Sequence, residues 1–331
     1  MAAPRAVACL PGGPGVYRFR DARGTVLYVG RAGALRSRAG SYWSDLGERA
    51  HLAPMVARVA RVEAVSCDSP HEAAWLERNL LETSLPAWNR TPGGQESIVY
   101  IGLDKRPFSP ALTVERARTV QRARTVQRVV TVQRARTVEH AREPAAMIRY
   151  FGPYLGGLRV RQAVSALNRI FPLAYTGTRL RGAQLDMARA RGLGAGNREV
   201  FIRILCAVLQ RQPDAIAQAR GELEQLRDRA AGSLAFELAA RIQSEMCALD
   251  WVTSPQRVTT MDAGDFDVYG WSGGVLVHFG IRAGRLSLWS QRRCAWSRAA
   301  PGLGITPAGW AGFARRNAEL AAALRVAASP R

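Results

Sequence analysis

Two short runs rich in aromatic, aliphatic and β-branched residues lie within GVYRFRDARGTVLYVG (residues 15–30), on either side of Asp21-Ala22-Arg23-Gly24. Strand, Asp/Gly turn, strand is the signature of a hairpin. Apolar positions then fall at helical spacing over Leu35–Tyr42 and Leu52–Val62, and a third strand is predicted over Val62–Cys67. Ser69 with Glu72 three residues later reads as a capping box, opening a helix that runs to about Ser84 before Pro86 stops it. These elements make a small α/β unit of about 90 residues, within the ordinary size range of a domain.

Further strands are predicted at 98–103 and 110–114. From Thr113 to Arg142 the chain repeats itself, TVERAR TVQRAR TVQRVV TVQRAR TVEHAR, five hexapeptides with eight Arg against two Glu. A period of six turns each repeat by about 240° on a helix, so it keeps no single face. The repeat reads either as a basic arm gripping phosphates or as a slippage expansion in a loop that tolerates insertion. Residues 149–157 are turn-rich and aromatic, Val160–Ile170 is an amphipathic helix before Pro172, and 176–197 looks irregular. Glu199–Leu209 and Asp214–Leu249 are helical, the latter broken near Gly232-Ser233 into a hairpin. Residues 266–291 alternate around two glycine turns as a β-meander, and a last helix is predicted over 310–326.

Charge narrows the partners. Lys plus Arg number 47 against 26 Asp plus Glu, a net charge of +21. Such a field attracts polyanions, DNA or RNA foremost. Lys105 is the only lysine; arginine forks a phosphate with two parallel hydrogen bonds, yet codon bias explains abundance equally well. The five cysteines (Cys9, Cys67, Cys206, Cys247, Cys294) form no Cys-x-x-Cys pair, so neither a zinc ribbon nor a disulfide framework is indicated. No apolar run approaches a membrane span, and the first residues carry no secretory core. A cytoplasmic location and no membrane partner are expected. The four histidines (His51, His71, His140, His278) show no metal spacing.

The candidate chemistry lies between residues 14 and 89. Pro14-Gly15-Val16-Tyr17 is followed eleven residues on by Tyr28-Val29-Gly30; Arg38 stands ten residues after Tyr28, and Asn89 twelve after Glu77. Singly, each has a plain explanation: tyrosines packing on a hairpin, arginines on a solvated helix face, Glu77 in an i,i+4 pair. Together, in this order and spacing, they resemble the GIY-YIG nuclease family in the arrangement of the excinuclease subunit UvrC.

That resemblance implies a metal-dependent site for phosphodiester hydrolysis. Glu77 would ligate Mg²⁺ or Mn²⁺, Arg38 would fork the phosphate oxygens, Tyr17 would deprotonate the attacking water, and Tyr28 would position phosphate or water. Arg31, where relatives usually carry lysine, and Arg36 would bind DNA phosphate; Asn89 would anchor the end of the glutamate helix. These residue types suit the reaction, because negative charge builds on the leaving oxygen and on the pentavalent phosphate. The likeness continues through RYFGPYLGGLRVRQAVSALNRIFPL (149–173). At the family's four-cysteine cluster this chain has Thr176, Gln184, Gly192 and Gly196, so no iron–sulfur cluster is expected. LAFELAARIQSEMCAL (234–249) resembles the UVR hairpin that docks on UvrB, through Phe236, Glu237, Ala239, Ala240 and Leu249, with Gln243 and Ser244 replacing the usual Arg-Asp pair.

The expected fold is α/β (α+β): a small GIY-YIG domain with a central antiparallel sheet flanked by helices, then a mixed helical region with a UVR-like hairpin and a short β-meander. The expected divisions are 10–97 (nuclease), 98–175 (middle segment with the repeat at 113–142), 176–211, 212–252 (hairpin) and 253–331. The expected function is 3′-side incision of DNA in excision repair with a UvrB-like partner. A non-cleaving DNA- or UvrB-binding adaptor, and a free-standing nuclease outside repair, are the alternatives.

Overall fold

Helix α1 (Ala2–Ala8) precedes strands β1 (Gly15–Arg20) and β2 (Val26–Ala32), which pair antiparallel as the hairpin pattern predicts. The turn forms because the Asp21 carboxylate accepts from the backbone N–H of Arg23 (3.0 Å) and Thr25 (2.8 Å), while Gly24 takes φ +85°. Helix α2 (Leu35–Ser44) follows, then a 3-10 turn (Gly47–Leu52), the four-residue α3 (Ala53–Val56) and β3 (Arg61–Ser66). The helix expected over Leu52–Val62 is thus cut to one turn, since the chain must extend by Arg61 to join the sheet. Strand β1 is central, in the order β2-β1-β3. The structure, a computed structural model, describes residues 2–44, 46–90, 96–121, 147–262 and 264–328.

Helix α4 (Pro70–Thr83) starts at the predicted cap, with Ser69 Oγ accepting from Glu72 N at 3.0 Å. The reciprocal half of the capping box is not made. The buried Glu72 carboxylate accepts instead from Asp68 N (2.6 Å) and from Arg257 N (2.9 Å). Burial outweighs those two bonds and raises the Glu72 carboxyl above the usual value.

The chain forms two compact units: Met1–Gln95 with Pro255–Arg331, and Glu96–Ser254. The second holds an antiparallel sheet of β4 (Ile98–Asp104), β5 (Ala111–Arg116) and β6 (Ile148–Leu155), in the order β5-β4-β6. Residues 149–157, which read as turn, are therefore mostly strand; the glycine and proline that suggested a turn sit at an irregularity where register shifts. Residues 122–142 of the repeat lie outside the described residues. Helices α5 (Gly157–Ile170), α6 (Ala183–Ala190), α7 (Arg198–Leu209), α8 (Pro213–Gly232) and α9 (Phe236–Thr253) complete this unit. The α6 helix lies in the stretch expected to be irregular. Leu167, Leu205, Leu223, Met246 and Leu249 share one core with the sheet. Arg169 and Ser165 on α5 hold the buried Glu245 of α9 with bonds of 2.7–2.9 Å.

The first unit closes with the predicted meander, β7 (Phe266–Ser272), β8 (Val275–Arg282) and β9 (Arg285–Arg293), then α10 (Trp296–Gly304) and α11 (Ala308–Ala328). This C-terminal segment is bonded to α4 and β3. Asn79 of α4 donates to Val258 O (3.1 Å) and accepts from Arg285 (2.8 Å). Asn317 of α11 accepts from Ser66 N (2.7 Å) and donates to Ser66 O (3.2 Å), closing the free edge of β3. Among the described residues no helix is long and apolar enough to cross a membrane.

Candidate active site

Side chains alternate across a strand, so Tyr17 and Phe19 leave β1 on one face, opposite Gly30 and Tyr28 of β2. Tyr17 is 1% exposed. Its ring lies across β2: a Cβ at position 30 would stand 2.6 Å from Tyr17 Oη and 2.8 Å from Tyr28 Cε1. The motif's second glycine is therefore the space the tyrosines occupy. Its first is equally constrained, for a Cβ on Gly15 would lie 2.3 Å from Val65 O and 2.5 Å from Leu35 Cδ1.

Helix α2 sends Arg38 and Tyr42, one turn apart, toward these rings. Tyr42 Oη and Tyr17 Oη are hydrogen-bonded at 3.0 Å, and the centroid of Tyr42 lies 6.0 Å from both Tyr17 and Tyr28. Tyr42 is the site residue that the motif spacing missed; its position four residues after Arg38 was the available signal. Burial, then Tyr42 and Tyr28, raise the Tyr17 phenol well above its ordinary value, with Arg38 pulling the other way. Burial, Tyr42 and Glu77 raise Tyr28 likewise. Burial disfavours the Arg38 charge, but the phenols around it, Tyr17 first, outweigh that effect and raise its pKa. At neutral pH Tyr17 and Tyr28 are therefore neutral phenols beside the Arg38 guanidinium.

Glu77 on α4 meets Arg31 at the end of β2. Its Oε1 accepts from Arg31 N at 3.1 Å, and its Oε2 lies 3.3 Å from Arg31 Nε. Asn89 bonds the free edge of β2 twice, accepting from Val29 N (2.9 Å) and donating to Val29 O (2.8 Å), between Tyr28 and Gly30. It thus fixes the second motif directly. Arg36 is exposed, with Nε donating to Leu10 O at 2.7 Å. Among the described residues no three His, Cys, Asp or Glu gather as a ready cation cage. A carboxylate such as Glu77, 21% exposed, suits a cation that keeps mostly water and phosphate ligands.

In the second unit, Phe236 is 63% exposed at the start of α9, Glu237 and Ala240 are exposed and Ala239 half-buried, whereas Leu249 is 1% exposed in the core. Thr176 is buried, its hydroxyl donating to Leu173 O at 2.7 Å. Gln184, Gly192 and Gly196 are all exposed.

Residues 13–90, which contain all five motif residues, match the family model of the UvrC-like GIY-YIG domain. The chain is 31% identical over 299 residues to UvrABC system protein C of Mycobacterium marinum, covering 84% of this chain and 41% of that protein. It is 29% identical to the protein of the same name from Pseudomonas syringae pv. syringae, covering 85% and 44%, and 30% identical to that of Mycobacterium tuberculosis, covering 84% and 42%. The chain spans about two fifths of the length of these curated relatives. Residues 13–90 are thus a GIY-YIG domain of the UvrC-like kind, in a chain that is UvrC-like in sequence over most of its own length.

Proposed function

We propose that this chain is a divalent-metal-dependent endonuclease that hydrolyses a DNA phosphodiester, making the 3′-side incision of excision repair together with a UvrB-like protein. One observation carries the reading: Tyr17, Tyr28, Tyr42 and Arg38 converge around Gly30, with Glu77 at the end of the same strand. Glu77 would hold Mg²⁺ or Mn²⁺, which supplies positive charge where the leaving oxygen and the phosphate become negative. Arg38 forks the non-bridging oxygens and favours the Tyr17 phenolate. Tyr17 in that form takes the proton of the attacking water. Tyr42, through its bond to Tyr17 Oη, orients that oxygen. Arg31, which now pairs with Glu77, turns to the scissile strand once that carboxylate is engaged. The exposed hairpin residues Phe236, Glu237, Ala239 and Ala240 are the candidate UvrB-docking surface, with Leu249 supporting it from the core.

The neutral, buried Tyr17 and the Arg31–Glu77 pair favour a second reading, a non-cleaving adaptor. Lesion-bearing duplex preloaded with a UvrB-like protein separates the two. The nuclease reading expects one Mg²⁺-dependent nick on the 3′ side of the lesion. Binding without a nick in Mg²⁺ or Mn²⁺ leaves the adaptor, and equal nicking without the UvrB-like protein removes the repair assignment.

A further inference from the structure

The opposite face of the same sheet carries a second concentration of chemistry. Arg18 and Arg20 leave β1 away from the tyrosines and face Glu63 and Arg61 of β3. The Glu63 carboxylate, 2% exposed, is shared among them: Arg18 Nε bonds it, Arg20 Nε lies at 2.8 Å, and Arg61 Nε at 3.5 Å. Arg18 also donates to Trp289 O at 2.7 Å and lies 3.7 Å above the Trp289 ring. Beside this network a cleft of about 420 Å³ opens between the Asp21 turn, β3, the end of β9 and the last turns of α11.

Arg61, Arg293 and Arg325 line the cleft, with Gln291 between them. Its one acidic lining residue, Asp21, is committed to the backbone of its own turn and to Arg58 at 3.6 Å. Glu63 is spent on the three arginines already named. Arg61 Nε is buried without a hydrogen bond, and the exposed Arg293 forms no ion pair among the described residues. Burial first and then Arg61 lower the Arg325 pKa, Glu63 opposes them, and Arg293 and Arg20 add to the lowering. The guanidinium groups around the cleft thus repel one another and outnumber the carboxylates that offset them. A phosphate group there would relieve the repulsion and accept forked bonds.

We propose that the Arg61–Arg293–Arg325 cleft is a phosphate-binding site for the DNA backbone, on the side of the sheet away from the tyrosine cluster. The choice of DNA as the source of the phosphate rests on the nuclease reading; the anion site itself does not. Phosphate contacts there would fix the duplex on the domain without reading sequence.

The test uses the full chain, a fluorescent 30-base-pair duplex and inorganic phosphate. Wild type, Arg293→Gln and Arg293→Gln/Arg325→Gln are compared by anisotropy across a salt series, with thermal melting as the folding check. The single variant keeps the assay valid if the double variant melts early, because Arg293 is exposed. The expected result is about tenfold weaker binding in the double variant, with a salt slope shallower by about 1 to 2. Millimolar phosphate should raise the melting temperature of wild type more than that of either variant. Unchanged affinity and slope in a folded variant overturn the proposal. If DNA affinity and slope are unchanged while phosphate still stabilises wild type more than the variants, the site takes a free anion and the DNA assignment is overturned. Because the readout is binding, a chain that nicks nothing yet depends on Arg293 for affinity fails the nuclease reading alone. One that nicks with affinity indifferent to Arg293 fails the cleft alone.

Discussion

On one face of the β2-β1-β3 sheet, Tyr17 and Tyr28, phenols that burial keeps neutral, meet the ring of Tyr42. On the other, Arg18, Arg20 and Arg61 crowd a single buried carboxylate, Glu63. The two sets meet at β1, where Tyr17 and Phe19 alternate with Arg18 and Arg20, so a period of two sorts the aromatic rings from the guanidinium groups. The phenol face carries one fixed charge, Arg38, beside Tyr17 and Tyr28. The arginine face is charged throughout: burial lowers Arg18 to about 10, with Glu63 opposing, and it stays protonated at neutral pH. Chemistry and electrostatic grip can therefore be altered separately.

The largest separation should come from Glu77→Ala, which removes the candidate metal ligand while leaving the arginine face intact. Nicking in Mg²⁺ should fall about 1000-fold, in line with losing one electrostatic element of a transition-state site, while thermal melting stays near wild type. Comparable activity in the variant would move the metal elsewhere.

Glu63→Ala attacks the other face. It strands the buried Arg18 charge and should cost about 3–5 kcal/mol in chemical denaturation, because breaking a buried pair leaves one ion uncompensated. The pH sign follows. Burial opposes the Glu63 carboxylate, but Arg18 and Arg20 outweigh it and hold its pKa below the usual value. Its stabilisation is present above the unfolded value of about 4.3 and lost as pH falls through the folded pKa. Denaturation midpoints from pH 6 down to 3 should fall more steeply in wild type than in Glu63→Gln; parallel curves would show that Glu63 is not held by its arginines.

Gly30→Ala sharpens the comparison at the tyrosine face. A methyl group against Tyr17 must displace a ring or the strand, costing about 1–3 kcal/mol and misplacing the phenol. Nicking should drop further than melting does; a variant that is stable and fully active would mean the ring position is immaterial. The smallest effect is expected at Arg36→Ala, less than about threefold in DNA affinity, because its guanidinium is held by Leu10 O and reaches phosphate only from an exposed helix face. A tenfold loss would promote it to a principal contact.

The pH dependence of nicking probes Tyr17 itself. As its phenol titrates above its ordinary value, the phenolate fraction should grow about tenfold per unit between pH 7 and 9, and single-turnover nicking with it. Arg38→Ala should push that rise to higher pH, since Arg38 favours the phenolate. A flat profile would take the base role from Tyr17.

The hairpin, the capped helix, the helical hairpin and the meander were legible because each is a local pattern with its own turn or cap. Tyr17, Tyr28, Arg38, Glu77 and Asn89 were singled out as candidates by their spacing. Tyr42 was not, because an i,i+4 partner on a helix is visible only once one knows which way the helix faces. Long-range bonds were also out of reach: nothing in periodicity says that Asn79 holds Val258, or that Asn317 closes the β3 edge at Ser66. The arginine face shows why abundance alone marks no site. Among so many arginines, those that matter are distinguished by sharing Glu63 and by lining one cleft, and neither property is written in the linear order of residues.

The most direct test of the central claim is single-turnover nicking of a lesion-bearing duplex, loaded with a UvrB-like protein, by wild type, Tyr17→Phe and Glu77→Ala, in Mg²⁺ and in EDTA. The nuclease account predicts a 3′-side nick by wild type in Mg²⁺ only, reduced at least 100-fold in both variants while DNA binding persists. DNA binding by wild type with no nick in any divalent metal, or nicking that survives Glu77→Ala unchanged, would contradict it.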